Sequence, residues 1–521
     1  MLGRRTTSLI RSACRAVRRR RPAFRAPPCR GVTATWVLAG CLLLTGCAVG
    51  PDFEKPPTPD VTGYSANPAP AIAATPHVAG GDAQKFIQDA DVRDDWWTLF
   101  HSRRLNDLIE QSLRTNPDLK SAQAALTVAR ENVLAQRGAY YPGVAASFSA
   151  SRQRQPETLA PVPSNNAVLY NLFTPQVSIS YVPDVFGLNR RTVESLQAQA
   201  DQTRFQMIAT YTTLTSNLVV AAIQEAALQA QIDATHELVD VNAKMVEILR
   251  YQFEKGYAGG LDLAAQESQL AQTNATLPPL LKQLDQQRDL IAVLAGRFPA
   301  EAPAEKFDLA SLQLPADLPL SLPSTLVAQR PDVRQAEANM HTASALIGVA
   351  KANRLPNIEL TANSGNTALA IDQVFNMGTS FWSIGAGLAA PIFEGGKLLH
   401  QQRAAEAAYI QAAEQYRSTV LTAFQNVADT LAALEHDAEG LKAAAAAVDA
   451  AKVTLDLSQR QERAGYASTL ALLNAEQAYQ QARINLVQAQ ASRYADTAAL
   501  FQALGGGWWH RPELAQEKNE D

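Results

Sequence analysis

Beyond position 47 this 521-residue chain has no cysteine: Cys14, Cys29, Cys41 and Cys47 are the full set. The body of the chain therefore carries neither a disulfide framework nor a cysteine metal site. Its seven histidines (His77, His101, His236, His341, His400, His436 and His510) are scattered, none paired at metal-ligand spacing. No Gly-rich phosphate loop opens a helix: Gly395-Gly396 stands between a strand pattern and a helical one but lacks the third Gly and the Lys such loops need. These absences speak against an enzyme and imply no cofactor and no metal. Acidic residues are missing from the first 46 positions, which hold ten Arg. Proline is missing from 187 to 256 and again from 396 to 465.

The basic start is followed by an apolar stretch, 35–44, too short to span a bilayer as a permanent helix. That is the profile of an export signal. Leu44-Thr45-Gly46-Cys47 places small residues before a thiol and resembles the lipobox of bacterial lipoproteins. It predicts cleavage between Gly46 and Cys47 and acylation of Cys47, with 1–46 removed as a lipoprotein signal peptide. Removing ten Arg takes the formal charge from -4 to -14. So acidic a mature chain argues against nucleic acid as a partner. The next segment, 47–90, is Pro-rich from Pro51 to about Gln84 and reads as a lipidated extended tether with little core of its own.

The remainder, rich in Ala, Gln and Leu, is helix-forming material that repeats itself once. Asn116-Pro117-Asp118 opens a helical pattern ending at Tyr141-Pro142, and Arg330-Pro331-Asp332 opens one ending at Leu355-Pro356; both proline spacings are 25 residues. Lys255-Gly256-Tyr257-Ala258 with Leu261 and Glu267 matches Ala464-Gly465-Tyr466-Ala467 with Leu470 and Glu476. Helical stops follow at Gly296 and Gly505, each 40 residues beyond the earlier Gly. The predicted organisation is a first repeat at 91–300 and a second at 301–505, each running helix, two strands, very long helix, helix, with a tail at 506–521.

The strand pairs fall at about 140–154 with 172–185, and 357–367 with 379–393. Val177, Ile179 and Tyr181 alternate with Ser178 and Ser180; Trp382, Ile384, Ala386 and Leu388 alternate with Ser383, Gly385 and Gly387. Period-two patterning of this kind fits a half-buried soluble sheet, and its lengths also fit tilted membrane strands. Gly187 ends the first pair and Gly395-Gly396 the second, as strand-to-helix bends that use backbone angles closed to other residues. The proline-free segments beyond them, read as unbroken helices of about 65 residues, are each roughly 100 Å long. Read as stacked shorter helices they need breakers that are scarce here. Four strands cannot close a barrel in lipid, since membrane barrels have about eight or more. Self-assembly follows: three copies reach twelve strands, leaving room for an aqueous passage, with the long helices forming a tube below. The fold class expected is mainly α with a small membrane β-barrel portion: duplicated long helical hairpins as an α-barrel, plus four transmembrane strands per chain.

Several tracts carry a family resemblance. They are Cys47-Ala48-Val49-Gly50-Pro51-Asp52-Phe53, Trp96-Trp97 with Phe100, Pro183-Asp184-Val185-Phe186-Gly187, Arg330-Pro331-Asp332-Val333 with Ala336-Glu337, and Pro391-Ile392-Phe393-Glu394-Gly395-Gly396. Together these resemble the TolC-like outer membrane efflux proteins, and with the lipobox their NodT-type lipoprotein branch, over nearly all of 47–505. The resemblance implies a homotrimeric channel in outer membrane lipid, loaded by a periplasmic adaptor (membrane fusion) protein and an inner-membrane RND transporter. It implies that the turns at Tyr257 and Tyr466 form the lower tip. There the family's constricting Leu and following Asp correspond to Leu470 and Asn474. An Asn ring carries no net charge, so this chain departs from the acidic pattern. Asp262 in the first turn is the other candidate for a ring, and equally reads as a first-turn helix acid. Arg250 and Arg463 near the tips are candidates to pair with acids on neighbouring helices. Two other functions stay open: a type I secretion outlet, and a coiled-coil structural lipoprotein without a pore. Replacing Cys47 by Ala behind an ordinary cleavable signal is expected to abolish fatty-acid labelling while leaving the protein in the outer-membrane fraction. A wholly periplasmic soluble variant would contradict the barrel.

Overall fold

A computed structural model describes residues 48–61, 63–64, 72–154, 169–301 and 306–515. The expected cleavage site at Gly46 and Cys47 lies outside the described residues. After a short strand β1 (Lys85–Gln88), the first repeat runs α1 (Arg103–Thr115), α2 (Pro117–Arg137), β2 (Gly143–Arg154), β3 (Leu169–Tyr181), α3 (Leu188–Glu254) and α4 (Gly260–Leu294). A second short strand, β4 (Asp317–Leu320), leads into α5 (Pro323–Gln329), α6 (Pro331–Ala352), β5 (Asn357–Asn366), β6 (Ser380–Ala389), α7 (Lys397–Arg463) and α8 (Thr469–Ala503). Helix α9 (Pro512–Ala515) follows. Each repeat thus opens with two helices, where one was expected. Pro117 and Pro331 impose the break: each lacks the N–H that a continuing helix needs, and each starts the new one at its first position.

The two halves match in length as well as order, since α3 and α7 are 67 residues each and α4 and α8 are 35 each. With no Pro or Gly inside it, α3 runs unbroken for about 100 Å at 1.5 Å per residue. It is the spine of the chain, packing against α2, α4, α6 and α8. Helix α7 packs mainly against α6 and α8 and leaves Ile410, Leu421, Val453 and Leu457 exposed.

Equivalent helix ends are closed by different chemistry. The last carbonyl of α4, that of Leu294, accepts from both Ser112 Oγ at 2.6 Å and Asn116 Nδ2 at 3.0 Å. At the matching end of α8, the Ala503 carbonyl accepts from Arg330 Nη1 at 2.9 Å. Both solutions satisfy groups that a helix end leaves unpaired.

The main core gathers where the long helices meet the short ones. Trp96 stacks on Phe501 at 5.1 Å and 15° and meets Trp97 and Phe100 edge-on. Gly507, at φ 72°, passes so close to Arg93 that an added Cβ would lie 2.2 Å from its carbonyl oxygen. That approach seats Trp508, whose Nε1 donates to the Gln329 carbonyl at 2.6 Å. Strands β1 and β4 pair in parallel, Lys85 opposite Asp317, and tie the N-terminal segment to the second repeat. Nothing in the sequence announced them: each has four residues, and β4 contains Pro319.

The Pro-rich N-terminal tract has no core of its own and lies against the helices. Val49 N–H donates to the Phe186 carbonyl at 3.1 Å, Phe53 stacks on His341 at 4.3 Å, and Ile72 is buried in the main core. Buried Arg191 clamps the tract, donating to the Val49 carbonyl at 3.2 Å and to Asp52 Oδ1 at 2.7 Å.

Trp96→Ala is expected to cost about 3–5 kcal/mol, as other large aromatic deletions in well-packed cores do. Thermal unfolding of the purified protein measures it, and a change under about 1 kcal/mol would contradict this account of the core.

Candidate functional site

Four antiparallel strands form one sheet in the order β2-β3-β5-β6. Strand β3 begins three residues before its expected start, at Leu169, and the other bounds fall at or slightly inside the expected ones. Tyr140 closes a 3-10 turn before Gly143, and Pro183 and Pro391 stand just past the ends of β3 and β6. Directly opposed residues share a face, so the register sorts the side chains. Ala146 opposes Val177, Val144 opposes Ile179, Ile179 opposes Ala362, and Ala362 opposes Ile384. Leu360, Trp382 and Leu388 fall on that same face by alternation. The other face collects Ser147, Gln176, Ser178, Thr361, Asn363, Ser383, Gly385 and Gly387. Where the strands leave the bends one side is apolar and the other polar or small; farther along the alternation breaks down, with Arg152, Asn171 and Ser364 on the first face and Leu172 and Phe381 on the second. The apolar face has no helix laid over it: Trp382, Ile384 and Leu388 are more than two-thirds exposed. Among the described residues, strands β2 and β6 each keep one unpaired edge. No helix among the described residues is long and apolar enough to cross a membrane.

Glycines in the left-handed region turn both strand pairs into the long helices. Gly187 has φ 78° and is the N-cap of α3; Gly395 and Gly396 have φ 59° and 86°, and Gly396 is the N-cap of α7. At the first bend the Asp184 carboxylate accepts the Asn189 and Arg190 N–H groups at 2.9 and 2.8 Å. At the second, Glu394 pairs with Lys397 at 3.4 Å.

At the far end of the long helices the two hairpin turns have the same backbone. Gly256 and Gly465 have φ 78° and 77°, and the N–H groups of Tyr257 and Tyr466 reach back to the Gln252 and Gln461 carbonyls at 2.8 Å in both. Tyr257 is 83% exposed, Tyr466 88% and Leu470 44%. Leu470 and Asn474 are one helical turn apart on α8 and so share a face. Asn474 lines a groove of about 890 Å³ between α4 and α8, with Gln269, Gln272, Thr273, Gln477 and Gln481. Leu470, Asp262, Tyr257 and Tyr466 do not line it. Asp262 stands in the first turn of α4, its N–H bonded to the Gly259 carbonyl at 3.1 Å. Arg250 pairs with Glu267 within the first hairpin at 2.7 Å. Burial pushes the Glu476 carboxyl above the usual carboxylate range, with Lys244 opposing.

The interiors of the two tips differ. In the first hairpin, Asn242 is fully buried; it accepts from Gln266 Nε2 at 3.0 Å and donates from Nδ2 to Thr273 Oγ1 at 3.1 Å. The turns stand 209 residues apart, and at that offset the three positions become Ala451, Ala475 and Ala482. A buried polar triad fixes register, because any slip strands its donors and acceptors. Alanine alone holds nothing in register. The triad escaped sequence reading, although polar residues at core spacing are a visible signal.

The profile of the outer membrane efflux protein family matches residues 108–297 and 322–506, two stretches that follow the two repeats. The probable efflux pump outer membrane protein TtgC of Pseudomonas putida is 29% identical over 481 residues, covering 91% of this chain and 96% of that protein. The outer-membrane channel OprN superposes with a TM-score of 0.76 at 26% identity, over 89% of this chain and 100% of the other. The CmeC outer membrane channel of Campylobacter jejuni shares the fold, with a TM-score of 0.78 at 21% identity over 88% and 95%.

Asn242→Ala takes the acceptor from Gln266 Nε2 and the donor from Thr273 Oγ1, whose own bond to the Gln269 carbonyl remains, and is expected to cost about 1–3 kcal/mol. Hydrogen exchange should speed up in the lower part of α4, while the triple change to Ala at 242, 266 and 273 recovers part of the loss. Unchanged exchange in Asn242→Ala would remove the triad's claim to set register.

Proposed function

The chain belongs to the outer membrane efflux protein family, and from that premise we propose that it works as a homotrimeric, passive duct carrying substrates across the outer membrane. In this reading a periplasmic adaptor and an inner-membrane RND transporter load it at the hairpin tips. The observation that carries the proposal is the two-faced sheet with open edges. Its apolar face suits lipid and its polar face suits water, and unpaired backbone groups at the edges of β2 and β6 are intolerable in hydrocarbon. Pairing β6 of one copy with β2 of the next, three times round, removes every edge and encloses an aqueous passage. The apolar side chains that α7 leaves exposed then meet a neighbouring copy.

The finer assignments rest on the same arrangement. Gly187, Gly395 and Gly396 are the bends that redirect the wall from strands to helices. Leu470 is the constriction, Tyr257 and Tyr466 face the adaptor at the tip, and Asn474 makes an uncharged ring behind Leu470. The second hairpin, packed through alanine, is the moving part; the first, held by the Asn242 triad, is the fixed frame. Acylated Cys47 is a supplementary anchor, and the Arg191 clamp on Val49 and Asp52 holds the tract that leads to it beside the strand-to-helix bend. Relatives named as efflux pump components favour drug or solvent export over protein secretion.

Planar-bilayer recordings test the duct. Leu470→Ser is expected to raise conductance, and Asn474→Asp to shift the reversal potential toward cations, by adding charge to the ring. A silent bilayer with both variants would favour the pore-free structural reading. Loss of protein secretion with unchanged drug susceptibility in a deletion strain would favour the type I outlet.

A further inference from the structure

The constant offset between the hairpins gives each position in α7 and α8 an internal control in α3 and α4. In the first hairpin, Leu228 on α3 and Leu284 on α4 are each 4% exposed and form an apolar cluster with Ile232. Their counterparts in the second are Asp437 on α7 and Arg493 on α8, and the counterpart of Gln287 is Asp496. The same backbone therefore packs leucine in one copy and ionisable groups in the other. Burying charge where leucine demonstrably fits lowers stability unless the charges are well paired and hydrogen-bonded.

The second cluster is short of partners. Arg493 is 1% exposed, and its Nη1 donates to the Leu434 carbonyl at 3.4 Å. Asp496 and Asp437 are within hydrogen-bond reach of each other across the α7–α8 interface. Asp496 Oδ2 is buried, and among the described residues no donor reaches it. Two carboxyls can be joined only by a proton that one of them carries. Asp82, from the segment before β1, acts on Arg493 from outside the hairpin, and Asp82 and Asp308 both act on the neighbouring Tyr494.

We propose that Asp437 and Asp496, each partly buried beside the fully buried Arg493, form a proton-binding site that holds α8 against α7. With one proton the pair share a hydrogen bond, and together with Arg493 they carry no net charge. Without it two like charges face each other across the interface, about 40 Å along α7 from the turn at 1.5 Å per residue, and the hairpin loosens there. Burial, the hydrogen bond to Asp437 and the Asp437 charge push Asp496 up to about 7, with Arg493 opposing. An unfolded Asp titrates near about 4, so the folded chain holds the extra proton between about pH 4 and about pH 7, and stability falls as pH rises through that window.

The test uses the purified full-length protein. Infrared difference spectra should show a protonated carboxyl lost near neutral pH, and Tm should fall between about pH 4.5 and about pH 7 and level off above that. Asp496→Asn should remove the band and flatten the Tm profile. Asp437→Asn removes the neighbouring charge and should move the midpoint to lower pH by about one unit or more. No carboxyl titrating in this window, or a band that survives Asp496→Asn, overturns the proposal. Should Asp496→Asn fail to assemble, an unshifted midpoint in Asp437→Asn overturns it alone.

Discussion

Everything in this molecule answers to one demand: in hydrocarbon a backbone N–H or carbonyl finds no water, so each must be paired within protein. A sheet ordered β2-β3-β5-β6 meets that demand for its two inner strands and leaves it open along two edges. Closure by further copies meets it in full, and closure also decides what hangs below. Each strand pair runs through a glycine bend into a 67-residue helix, so a ring of strands becomes a ring of helices. The exposed apolar side chains of α7 make sense in such a ring and have no place on an isolated chain.

Duplication supplies the geometry cheaply, since one helical hairpin serves twice. Divergence between the copies then supplies the differences in behaviour. The backbones at Gly256 and Gly465 are interchangeable, yet Asn242, Gln266 and Thr273 lock one hairpin where three alanines leave the other unlocked. Farther from the turn the contrast runs the opposite way, leucine packing in the first copy and a buried Arg493 flanked by the partly buried Asp437 and Asp496 in the second.

Much of this was legible in the linear chain. Equal proline spacings and the paired Gly-Tyr turns revealed two halves, and the absence of breakers from 187 to 256 and from 396 to 465 implied helices too long for a globular domain. Period-two alternation located all four long strands to within a few residues, because a pleated strand shows its two faces directly in its sequence. The tract from Cys47 to Phe53 read as a loose tether, and the clamp that Arg191 places on it stayed hidden. Strands β1 and β4 were invisible for a related reason: four residues carry no period, and their pairing joins positions more than 200 residues apart.

By itself, the sequence determined the long helices and the four long strands, where glycine must bend the chain, and that the chain is duplicated. These are local properties, written in residue type and spacing. Only the tertiary structure decided the order β2-β3-β5-β6, the register that sorts apolar from polar side chains across four strands, and the meeting of Asn242 with Thr273 and of Asp437 with Asp496. Each depends on which distant residues become neighbours, and short stretches of chain carry no record of that.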